Sequence, residues 1–105
     1  MHIQIINFNL KDMTRAEYNA LCTQLGPTWA AIPGLVSKVW LANPKTNTYG
    51  GVYTWRDRAA MEAFLAGELF AGLASNPNFV NATISDFEID EAPTRVTRGA
   101  AAAAV

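Results

Sequence analysis

Lys38, Trp40, Tyr53 and Trp55 are the residues whose types and spacing could do chemistry. They stand on two β-rich runs, Leu35 to Leu41 and Tyr49 to Trp55, joined by the turn formers Asn43-Pro44-Lys45-Thr46-Asn47-Thr48, so the pair reads as a hairpin. With Trp40 opposite Gly51, Lys38 opposite Tyr53 and Val36 opposite Trp55, the two-residue period puts Lys38, Trp40, Tyr53 and Trp55 on one face. The indole of Trp40 then lies over the bare Gly51. Leu35, Val39, Leu41 and Val52 form the opposite face, apolar throughout and suited to packing on another sheet. A slip of one residue would separate Trp40 from the other two rings. Three amphipathic rings and an amine can hold a flat, mostly apolar ligand, the rings stacking on it and the polar atoms meeting its hydroxyl groups. Plain core packing is the competing reading of the same rings.

Asn7 and Asn9 share one side of an opening strand, where an amide could position an oxygen or a carbonyl; a bond to nearby backbone is the alternative. His2, at the terminus, is expected to be exposed. Cys22 falls in an apolar stripe and reads as a small core hydrophobe. Asp86, Glu88, Asp90 and Glu91 read as a solvated strand end, because alternation sends neighbouring carboxylates to different sides. No phosphate-cradling glycine loop or nucleophile elbow is present, and Gly50-Gly51 inside a strand marks a bulge or a close approach.

The elements that must position these groups follow from periodicity. His2 to Asn9 reads as a strand. Thr14-Arg15-Ala16-Glu17 has the form of a capping box, and Tyr18, Leu21, Cys22, Leu25 and Trp29 then step along one face of a helix. Pro27 should kink that helix, and Pro33-Gly34 should end it. After the hairpin, Asp57 is a cap for a second helix with the stripe Met61, Phe64, Leu65, Leu69 and Leu73, bent or split by Gly67 and Gly72. Phe79 to Ile89 is the last strand. Strand, helix, strand, strand, helix, strand is the βαββαβ order of a ferredoxin-like α+β sandwich, whose two helices cover one sheet face. Residues 1–92 are expected to form this single domain, and residues 93–105 a C-terminal tail ending in an alanine run: a loose segment, an arm onto a partner, or a remnant outside the fold.

Half of the 105 residues are hydrophobic and 16% are charged, rich for a domain of this size. An oligomer or a sizeable apolar cavity is therefore expected. A net charge of −1 with no basic run argues against nucleic acid as a partner. No stretch has the length of a membrane span or the form of a signal peptide, so membrane is not an expected partner and the chain reads as cytoplasmic. One cysteine and one histidine cannot make a disulfide or a zinc set, so no metal is expected.

Pro33-Gly34-Leu35 through Lys38-Val39-Trp40, then Gly50-Gly51-Val52-Tyr53 and the helix opening at Asp57, resemble the YdhR family of monooxygenases within the dimeric α+β barrel superfamily. The resemblance runs from about His2 to Pro93. It implies a homodimer with facing sheets and a pocket in each subunit between sheet and helices. Superfamily members that oxygenate aromatic polyketides without a cofactor use an Asn, a Trp and a Tyr around the substrate. By that likeness Trp55 keeps the Trp, while Gly51 stands at the Asn position and Met61 at the Tyr position. Haem-degrading members use a His on the second helix, where this chain has the region of Ala74.

The expected function is a monooxygenase working without cofactor on a small aromatic, hydroquinone or polyketide-like substrate. Trp55, Tyr53 and Asn7 are the expected catalytic residues, Tyr53 and Asn7 binding or deprotonating a substrate hydroxyl. Trp40, Met61 and Phe64 would hold the rings, and Lys38 would stabilise a phenolate or reach solvent along the barrel edge. A binding or stress-response module without catalysis, or a cyclase or isomerase using the same pocket, are the alternatives.

Overall fold

The computed structural model describes residues 1–98; the expected alanine tail from 99 onward lies outside the described residues. The elements are β1 (His2–Leu10), α1 (Arg15–Ala30), β2 (Leu35–Asn43), β3 (Thr48–Trp55), α2 (Arg58–Leu65), α3 (Glu68–Ser75), β4 (Phe79–Glu88) and α4 (Glu91–Val96). The four strands form one antiparallel sheet in the order β2-β3-β1-β4. This is the ferredoxin-like α+β arrangement expected from the element order, with the second helix divided in two and a short helix added at the end. That last helix runs across residue 92, where the domain was expected to close.

Local chemistry accounts for the divisions. Thr14 and Glu17 make the capping box, with the Glu17 amide donating to Thr14 Oγ1 at 3.1 Å and the Thr14 amide to Glu17 Oε1 at 2.9 Å. Asp57 Oδ1 caps α2 by accepting from the Ala60 amide at 2.8 Å. Gly67 separates α2 from α3 and becomes the cap residue of α3 without a side-chain bond. Helix α1 continues through Pro27 to Ala30.

Strand β1 sits between β3 and β4, and its even-numbered residues His2, Gln4, Ile6, Phe8 and Leu10 are all buried on the helix-facing side. The core there is aromatic, built from Phe8, Tyr18, Trp29, Tyr49, Tyr53, Trp55 and Phe64 with Ile6 and Met61. The odd-numbered residues face the open side of the sheet, where Ile3 pairs with Phe87 and Ile5 with Val52. Val39 and Phe87 are each 58% exposed on that side, a large apolar surface on a face that no element among the described residues covers.

The hairpin register agrees with expectation at Lys38 opposite Tyr53 and Trp40 opposite Gly51. It departs at the strand start, where an irregularity between Leu35 and Ser37 sets Leu35, not Val36, opposite Trp55. The extra residue turns Leu35 toward the core, against which it packs, so Leu35 leaves the outer face expected of it.

Candidate active site

A cavity opens between sheet and helices beneath the hairpin. Its floor is Gly50, Gly51, Tyr53, Ile6 and Phe8, its roof Tyr18, Leu21, Cys22, Leu25 and Trp29, and Lys38 and Trp40 close one end. About 30 Å³ of it is open to the centre of a water molecule, room for about two waters. A second, more open cleft of about 230 Å³ shares Trp29, Lys38 and Trp40 as a wall. Lys38 therefore stands in the partition between an enclosed cavity and an outer approach.

Gly51 determines where the Lys38 chain goes. A Cβ at Gly51 would lie 2.7 Å from Lys38 Cε and 3.3 Å from Tyr53 Cε1. The aliphatic stem of Lys38, not the indole of Trp40, fills the space over this glycine. The amine is thereby folded back over the rings, with Nζ 3.3 Å from the Trp40 ring centroid and 4.7 Å from those of Trp29 and Tyr53. Among the described residues no carboxylate lines the cavity. Burial lowers the Lys38 pKa to about 7, and the nearby Cys22 thiol acts weakly in the other direction. The three ring faces favour the ammonium as well. The outcome is an amine that exchanges its proton near neutrality.

Tyr53 is held differently. Trp29 Nε1 donates to its oxygen at 3.3 Å, which leaves the phenol hydrogen free to donate. Burial raises the Tyr53 pKa to about 12, opposed by that hydrogen bond. Tyr53 is thus a neutral donor near pH 7, not the base considered from sequence. Burial likewise pushes the Tyr18 phenol well above the ordinary tyrosine range, and raises the Cys22 thiol.

Of the seven expected site residues, Lys38, Trp40 and Tyr53 are brought together at the cavity. Trp55 lies behind it: fully buried, stacked on Tyr53 at 5.9 Å between centroids with planes 3° apart, its Nε1 donating to Gln4 Oε1 at 3.1 Å. Met61 and Phe64 are buried core residues outside the cavity wall, Phe64 lying against both Tyr53 and Trp55. Asn7 faces the open side of the sheet, opposite to Tyr53, because it sits between the inward residues Ile6 and Phe8. It cannot reach a ligand in this cavity from within the same chain. Asn9 donates to the Asn47 carbonyl at 2.8 Å and accepts from Asn81 at 3.0 Å, the backbone-bonded alternative.

One polar residue, Gln4, escaped the sequence reading, and another, His2, was misplaced by it. Gln4 is fully buried, and its Nε2 has no partner among the described residues. His2 is 3% exposed, with Nε2 2.6 Å from Asp86 Oδ2, which Arg58 also approaches at 3.6 Å. The expectation of an exposed His2 fails because β1 is an inner strand. Its even positions are inward from the first residue on, and β4 brings Asp86 alongside. Trp55→Phe should cost about 2–4 kcal/mol, because it leaves the second polar end of buried Gln4 without a partner and opens a gap beside Tyr53. Urea denaturation will measure it; a loss under about 1 kcal/mol would mean that the bond contributes little.

An aromatic cavity between helices and a four-stranded antiparallel sheet belongs here to a ferredoxin-like α+β domain. The chain belongs to the family described as "Putative mono-oxygenase ydhR", whose model matches residues 3–100. Among solved structures it is similar to NE2512 from Nitrosomonas europaea, a protein of unknown function. The two share 20% identity over 87% of this chain and 90% of that one, with a TM-score of 0.72. It is similar also to SnoaB, a cofactor-independent oxygenase from Streptomyces nogalater, at 20% identity, 86% and 94% coverage and a TM-score of 0.66. A third is MhuD, a heme-degrader from Mycobacterium tuberculosis solved with two hemes bound, at 20% identity, 86% and 96% coverage and a TM-score of 0.69. No curated protein sequence matches. No helix among the described residues is long and apolar enough to cross a membrane.

Haem does not fit the residues present. Among the described residues the cavity wall offers no imidazole, the sole histidine lies 2.6 Å from Asp86, and the space between the rings is far smaller than a porphyrin.

Proposed function

We propose that this chain is a homodimeric, cofactor-independent monooxygenase of small, flat phenols, hydroquinones or anthrone-like polyketides. One observation carries the reading: the buried amine of Lys38 faces ring surfaces in an apolar cavity beside the phenol donor Tyr53. The uncharged amine takes a proton from the substrate. The ammonium so formed and the Tyr53 hydroxyl then hold the anion, while Trp29 and Trp40 flank its ring. Oxygen reacts directly with the electron-rich anion. In the anthrone case, a ring CH₂ becomes C=O, one oxygen atom enters the product, and the other leaves as water with the two hydrogens.

Lys38 supplies the polar group that related oxygenases are expected to place at Gly51, reaching over the glycine from the neighbouring strand. Since the cavity admits about two waters at rest, a substrate ring must displace the flexible Lys38 stem to enter. A second subunit is supported by the uncovered apolar face around Val39, Val52 and Phe87. The single, unpaired Cys22 accords with a reducing, cytoplasmic setting.

Oxygen uptake with anthrone and a set of hydroquinones tests the reading, with ¹⁸O₂ expected to place one labelled atom in the product. kcat/KM should rise with pH through about 7, because only the deprotonated Lys38 amine can act as base and below that value it is an ammonium. Tyr53→Phe should lower kcat by about ten- to a hundredfold, the value of one hydrogen bond to a developing anion. Product formed without oxygen would overturn the oxygenase in favour of a cyclase or isomerase. Tight binding without turnover would favour a binding module.

A further inference from the structure

We propose that Lys38 forms a Schiff base with small aromatic aldehydes or ketones that enter from the outer cleft. This second activity shares the cavity with the oxygenase reading but does not depend on it, since it needs no oxygen and no acidic substrate proton. The geometry has three parts. The Lys38 stem lies over Gly51 and its amine sits on the Trp40 face, in the wall shared with the outer cleft of about 230 Å³, so a flat carbonyl compound lying in that cleft meets the nitrogen. Among the described residues no ion pair holds the amine; the titratable groups that line its cavity are Cys22, Tyr18 and Tyr53, and all three are neutral near pH 7. The Tyr53 hydroxyl, with its oxygen already accepting from Trp29, is free to donate to the carbonyl oxygen.

The step balances without any oxidant. The nitrogen lone pair forms the C–N bond, the carbonyl oxygen becomes a hydroxyl, and the oxygen departs as water carrying both nitrogen hydrogens to leave an imine. Burial assists, since it keeps a large fraction of the amine uncharged near neutrality. Water expelled from an apolar cavity also disfavours the reverse hydrolysis.

The chain has three lysines, Lys11, Lys38 and Lys45, which makes the test clean. The protein is incubated at pH 7 with benzaldehyde and cyanoborohydride, and the adducts are mapped by peptide mass spectrometry. The expected result is benzyl labelling of Lys38 more than about tenfold faster than of Lys11 and Lys45, which stand exposed and outside the ring-walled site. Labelling should be much weaker with glyoxylate, whose carboxylate is disfavoured by the apolar walls. Lys38→Met should abolish the fast adduct and leave the slow ones. Equal labelling of the three lysines, or protection of Lys38, would overturn the inference. So would a preference for glyoxylate. Tyr53→Phe, which keeps the ring and the amine, should slow trapping several-fold; unchanged trapping there would remove Tyr53 from the step. Oxygen uptake on anthrone without any trapping would retain the oxygenase and reject this inference, and trapping without oxygen uptake would do the reverse.

Discussion

Lys38→Met is expected to give a more stable protein that no longer turns over. Moving the amine from its ordinary value to about 7 corresponds to about 5 kcal/mol against the charged form. Removing that charge removes its desolvation cost, so a methionine of similar shape should gain on the order of 2–4 kcal/mol at pH 6. The sign follows from where protons bind. Between about pH 7 and pH 10 the unfolded chain holds a proton on this lysine that the folded chain has released, so wild-type stability should climb with pH across that window. Below about pH 7 both states are protonated and the folded state carries the whole cost. The advantage of Lys38→Met should therefore be full at pH 6 and fade toward pH 10. Urea midpoints at pH 6, 8 and 10 measure it, and a variant less stable than wild type at pH 6 would contradict the account. Activity should fall at least a hundredfold, since the variant keeps the rings but loses the base. A cost in stability retained beside a cavity is the usual mark of a residue kept for function.

How much of this was legible in the sequence depends on which physical rule governed each residue. The strand and helix order could be read because Thr14, Asp57 and the apolar stripes obey local rules, and the hairpin's central register because Gly51 and the alternating rings admit few pairings. The bulge at Val36 was not legible: one extra residue changes nothing in composition, yet it moves Leu35 from the outer face to the core. Strand β1 was ambiguous for a related reason. Ile3 and Ile5 alternate with Gln4 and Ile6, so both of its faces hold apolar residues, and only pairing with β3 and β4 reveals which is inside. That ambiguity concealed Gln4 and His2 and lent Asn7 a role its side of the sheet denies it. Trp55 was read correctly as an inward ring. Its place behind Tyr53, and not at the cavity, depends on packing depth along the strand, which periodicity does not carry.

The adjacent glycines offer the second large effect, because they serve opposite purposes and should fail differently. Gly50 has φ +152°, and a Cβ there would lie 1.9 Å from the Ile6 carbonyl oxygen and 2.9 Å from Asn7 Cα. These are backbone atoms of the neighbouring inner strand, held by the β1–β3 ladder, and they cannot move without parting it. Gly50→Ala should therefore cost more than about 3 kcal/mol and leave much of the protein unfolded at 37 °C. At Gly51 the nearest obstacle is the flexible Lys38 stem, with Tyr53 and the Val39 carbonyl next at 3.3 Å. Gly51→Ala should thus cost only about 1–2 kcal/mol, and its main effect should be to push the amine off the rings. Pairing Gly51→Ala with Lys38→Ala separates the two causes. If the clash is with the lysine stem, the double variant should be more stable than the sum of the single effects predicts, by about 1 kcal/mol. Strict additivity would instead place the strain on Tyr53 and the strand backbone. In that case Gly51 would serve the sheet, and the position of the Lys38 amine would be set by the rings alone.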